Sequence, residues 1–243
     1  MQRKVRLTNE QLGFANTLFE LYPDFRPTQS LYLDFEGSGN GHESVISLYW
    51  PQNRSPNRFA WRMRSKEPTL TSELILDAIE TLGLPGNEVK QIVVYSPGRW
   101  DPDERERLIH LFDGNPWPNA SWINLLLVTQ KSKEMSSAIK THRNVVFKKD
   151  KTQVRHSLEA LEWEFKIFRD PSIRSHGNAY RDGAEGKMEV LELIKTIVSG
   201  QATEAEKKLL EKYCTQDVKS MFMISRFCER GLFTPKKRAK GRI

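Results

Sequence analysis

The sequence predicts an α/β domain with a mixed central sheet and flanking helices. Three short strand patterns, joined by tight turns, open the main part of the chain. Strand and helix patterns then alternate, and two long helical patterns finish the domain. The chain has 243 residues and 28.2 kDa, enough for one large domain with a sizeable core. Hydrophobic residues make up 38% and charged residues 28%, which excludes a wholly disordered chain. No apolar run approaches the ~18 residues of a membrane span, so no membrane association is expected. The expected divisions are a helical extension over 1–28, the α/β domain over 29–233 and a basic tail over 234–243.

Leu12, Ala15, Leu18, Phe19 and Tyr22 fall near one face of a helix over 9–22, with Thr8 as its cap. Ser30 to Gly37 reads as a strand running into the turn-forming Asn40-Gly41 pair. Val45 to Trp50 and Phe59 to Met63 read as two more strands of an antiparallel meander. A helix over 71–82 ends at Gly83 and Pro85. Gln91 to Tyr95 is a short strand of buried type. Asp103 to Phe112 is a helix entered through Pro102. Trp122 to Val128 reads as a strand or the opening of a helix, and Asn144 to Phe147 as a strand. Ser157 to Phe165 is a helix, Asp170 to Gly183 a loop, and Ala184 to Val198 and Thr203 to Cys228 are helices. This order of elements is matched most economically by a ribonuclease-H-like fold.

Asp34 and Glu36 lie two apart on a strand otherwise made of Leu31, Tyr32, Leu33 and Phe35. Alternation puts both carboxylates on one face, where they repel unless a cation lies between them. Hard oxygen ligands suit Mg²⁺ or Mn²⁺. The bland alternative is two acids facing water. Tyr213 and Asp217 are four apart on a helix and share a face. The carboxylate suits a metal and the phenol suits holding a water; the alternative is a core tyrosine and a surface acid. A further acid is expected after the Gln91 strand, with Asp101, Asp103 and Glu104 as candidates. Asp101 also suits a helix cap, and the other two suit a first helical turn.

These residues resemble the DEDD exonucleases of the ribonuclease-H-like superfamily, in the variant with a tyrosine. Leu31-Tyr-Leu-Asp-Phe-Glu-Gly37 is similar to the first motif of that family. Leu209-Leu-Glu-Lys-Tyr-Cys-Thr-Gln-Asp-Val218 is similar to the third. His156 to Glu162, Phe168-Arg-Asp170 and Asp182-Gly-Ala-Glu185 resemble the intervening pattern. The chain departs from the family at the second motif, where Ser96 replaces an asparagine and Trp100-Asp101 stands for the aromatic and acid. Lys212 occupies the position of the base in the histidine variant, and Asn124 a position where an extra acid often follows.

The resemblance implies two-metal phosphodiester hydrolysis, with Asp34, Glu36, Asp101 and Asp217 holding two Mg²⁺ or Mn²⁺ ions roughly 3.5–4 Å apart. Tyr213 would orient the attacking water, since a phenol of pKa near ~10 is a poor base. A 3′→5′ exonuclease on single-stranded DNA or RNA is the first expectation. An endonuclease or RNA-processing member, and a binding or scaffold protein that has lost catalysis, are the alternatives. Arg99, Arg169, Arg174 and Arg181 flank the acids and would hold the strand. Trp50, Trp61 and Trp100 are candidates for base stacking or for the core, and His176 reads as a surface residue, with a phosphate contact as the alternative.

The net charge of +7 and pI near 9.4 favour a polyanionic partner. The tail carries five of the basic residues and, with the first helix, is a candidate protein contact. Two cysteines, Cys214 and Cys228, suit reduced thiols. With no apolar stretch behind the basic N-terminus, they lead to an expectation of a cytoplasmic protein.

Overall fold

The computed structural model describes residues 5–37, 43–52, 58–64, 69–84, 89–96, 103–112, 114–146, 156–174 and 189–233. Five strands form one mixed sheet: β1 (Leu31–Gly37), β2 (Glu43–Tyr49), β3 (Phe59–Met63), β4 (Gln91–Val94) and β5 (Ser121–Asn124). Their order is β3-β2-β1-β4-β5. β2 runs antiparallel to both β1 and β3, whereas β4 is parallel to β1 and to β5. The helices are α1 (Asn9–Leu21), α2 (Ser72–Thr81), α3 (Asp103–Phe112), α4 (Leu125–Lys131), α5 (Lys133–Val146), α6 (Leu158–Glu164), α7 (Val190–Val198) and α8 (Glu204–Phe233).

Alternation along β1 separates two cores. Leu31, Leu33 and Phe35 pack with Ile75, Ala78 and Ile79 of α2 and Leu108 of α3. Tyr32 packs on the other face with Phe14 and Leu18 of α1 and Val218, Met221 and Ile224 of α8. Asp34 and Glu36 share the Tyr32 face, so α8 crosses over them. A third cluster joins Val45 to Ile194 and Ile197 of α7 and to Leu210 and Cys214 of α8. The first helix is therefore part of the main core. Thr8 and Gln11 close a capping box at its start.

Elsewhere the structure redraws the sequence reading. Trp122 to Val128 is both things at once. The strand ends at Asn124, whose side chain accepts from Leu126 N–H at 3.0 Å and so starts α4. Residues 144–146, read as a strand, complete α5. That helix is anchored by Met135 and Ile139, one turn apart and buried against the main core. Phe147, Asn40-Gly41, Pro102, residues 184–188 and the basic tail lie outside the described residues. The last helix continues past Cys228 to Phe233. A Cβ on Gly231 would fall 2.5 Å from Leu7 Cγ, so glycine there lets the segment before α1 close onto α8.

Candidate functional site

β1 and α8 deliver the acids. Asp34, Glu36 and Asp217 each offer a carboxylate oxygen, and these oxygens lie within 4.8 Å of one another. Asp34 and Glu36 are half-buried and Asp217 is buried. They line a cavity of about 170 Å³ with Tyr95, Leu158, Glu159, Arg169 and Tyr213. The alternation on β1 and the four-residue spacing on α8 thus converge on one point, under the helix rather than in water.

The electrostatics are strained. Burial is the largest cause in every case, because it disfavours the charged carboxylate. Glu36 is pushed up to about 8 by burial and by Asp217, against the opposing pull of Arg169 and of the hydrogen bond that the Tyr213 phenol donates. Asp217 is pushed up to about 7 by burial, opposed by Arg169. Asp34 is raised well above the carboxylate range by burial and then by Glu36, Asp217 and Glu104. Its Oδ2 is buried without a hydrogen-bond partner. Tyr213 is raised well above an ordinary phenol by burial and by Asp217.

The remaining candidates divide. Asp101 lies outside the described residues, with Arg99, Trp100, His176 and Arg181. Asp103 opens α3. Glu104 is buried and near enough to Asp34 to raise it, but does not belong to the triad. Trp50 is a core residue at 5% exposure, so it presents no face for stacking, and Trp61 is partly buried against the third cluster. Arg174 is buried. Lys212 points away to an exposed ion pair with Asp170 at 2.7 Å. Asn124 is a joint between strands: it accepts from Ser96 N–H at 3.3 Å and donates to Ser96 O at 2.9 Å. Cys214 and Cys228 are both free and buried.

Arg169 corrects the sequence reading most sharply. It lies in the loop after α6, but its side chain is 2% exposed and three acids hold it, so it does not reach out to a substrate strand. Nε donates to Glu162 Oε2 at 2.5 Å and Nη2 to Glu162 Oε1 at 3.0 Å. Nη2 also bonds Asp217 Oδ1, and Nη1 lies 3.5 Å from Glu159 Oε1. Glu159 and Glu162 were not among the predicted site residues. The signal was present: two acids three apart on a capped helix share a face, with an arginine seven residues beyond. No protein-family model matches this chain, and no curated protein matches it in sequence.

Proposed function

We propose that the chain is a metal-dependent phosphodiester hydrolase of ribonuclease-H-like fold, a 3′→5′ exonuclease acting on single-stranded nucleic acid. The observation that carries this reading is the convergence of Asp34 and Glu36 from β1 with Asp217 from α8, beside Tyr213. The strand order, antiparallel on one side of β1 and parallel on the other, supports the fold. Net charge +7 supports a polyanionic substrate.

The donor set fits a hard divalent cation. All the ligands are carboxylate oxygens, and one of them, on Asp34, is buried without a partner. Asp34, Glu36 and Asp217 would hold Mg²⁺ or Mn²⁺. A second ion would need the second-motif acid as well, Asp101, Asp103 or Glu104. Such ions supply an acidified attacking water and stabilisation of charge on the phosphate and the leaving 3′-oxygen. Tyr213 suits positioning better than proton abstraction, because burial and Asp217 raise its phenol well above the ordinary value. It donates a hydrogen bond to Glu36 and orients what lies beside it.

The test is cleavage of 5′-labelled single-stranded DNA and RNA with Mn²⁺, Mg²⁺ or EDTA, for wild type and Asp34→Ala. The expected result is a metal-dependent ladder shrinking from the 3′ end, lost in Asp34→Ala. Intact substrate under every metal condition overturns the reading in favour of a binding or scaffold protein. Cleavage of end-blocked substrate transfers it to an endonuclease.

A further inference from the structure

We propose that Arg169 is the positioning residue of the acid site, acting through its planar fork rather than through its charge alone. The proposal rests on the metal-dependent reading above and goes beyond it in assigning the residue that holds the ligands in place.

The chain is bent to bring Arg169 there. α6 is capped by Phe165, and the next residue, Lys166, has a φ of 58°, in the left-handed region usually left to glycine. Lys166 N–H bonds Trp163 O at 3.0 Å and Ile167 N–H bonds Glu162 O at 2.9 Å. This reversal sends residue 169 back toward the helix it has just left. The guanidinium then forks onto both oxygens of Glu162 and shares Nη2 with Asp217. Its Cζ stands 5.2 Å from the centroid of the Tyr213 ring. One side chain therefore touches both members of the Tyr213–Asp217 pair. The next residue, Asp170, reaches Lys212 on the same helix, so the segment is fixed to α8 at two points.

With Oδ1 held by Arg169, rotation of the Asp217 carboxylate is restrained and its aim toward Asp34 and Glu36 is kept. Groups that orient metal ligands in this way typically contribute 10–100-fold to metal affinity. Charge alone predicts something different. The guanidinium is already matched by Glu159 and Glu162, so a lysine in its place keeps the charge. A lysine cannot span Glu162 and Asp217 at once, because it presents a single ammonium and no fork.

The experiment is a Mn²⁺ titration of the full chain, by calorimetry or by the spectrum of free Mn²⁺, for wild type, Arg169→Lys and Glu162→Asp. It is done well below each variant's unfolding temperature. The expected result is a Kd weakened about 10–100-fold in Arg169→Lys, with Glu162→Asp, which keeps the charge but is too short to take the fork on both oxygens, weakened in the same direction. Glu162→Asp keeps the test decisive where the lysine variant does not fold. Mn²⁺ bound by both variants as tightly as by wild type overturns the proposal and leaves the metal-dependent reading standing. Wild type that binds no Mn²⁺ overturns both.

Discussion

Glu36→Gln should make the metal-free protein more stable, and increasingly so as pH rises. The folded site holds a proton on Glu36 up to about pH 8, whereas the ordinary carboxyl value is 4.5. A group raised on folding contributes stability below its unfolded value and loses it as pH climbs through the folded one. Each pH unit in that window costs about 1.4 kcal/mol. At pH 7 the upper figure is about 3 kcal/mol, and screening by the solvent that still reaches the partly buried Glu36 reduces it to roughly 1–2 kcal/mol. The glutamine keeps an oxygen to accept from Tyr213 but carries no proton to titrate. For a chain of this size 1 kcal/mol shifts Tm by roughly 2–4 °C. The assay is thermal unfolding of wild type and Glu36→Gln in EDTA from pH 4.5 to 8.5. The variant's advantage should be near zero at pH 4.5 and grow to several degrees by pH 8. An advantage that shrinks with rising pH, or none at any pH, refutes the electrostatic reasoning. Repeating the series in Mn²⁺ should stabilise wild type more than the variant, since Glu36 is one of the proposed ligands.

Two other outcomes are expected. Tyr213→Phe keeps the half-buried ring but removes the donor to Glu36, so cleavage should fall on the order of 10²-fold while the Tm moves little; single-turnover rates on labelled single strands check it. Asn124→Ala removes the α4 cap and both bonds to Ser96, so stability should fall by about 2–3 kcal/mol, read as a lower urea midpoint, because buried backbone groups are left unpaired.

Local rules account for what was legible. The alternation of Leu31 to Glu36 puts two acids on one face at any burial, and the spacing of Tyr213 and Asp217 does the same on a helix. The cap at Thr8 and the meander of β1 to β3 are likewise set by neighbours a few residues apart. Asn144 misled because β-branched neighbours follow it, while the anchors of its helix, Met135 and Ile139, lie a turn or more earlier. Arg169 misled for another reason. A polar residue in a loop reads as solvated, and its meeting with Asp217 depends on a left-handed turn at Lys166 and on a partner 48 residues away.

The sequence by itself determined most of the element types, the shared faces of the acids and their carboxylate chemistry, because each follows from periodicity and side-chain type. Only the tertiary structure decided that these faces meet, that α8 covers them and shifts their protonation, and that Glu159, Glu162 and Arg169 form the layer behind Asp217. Burial and charge pairing depend on distance in space, and no local pattern of residues encodes that distance.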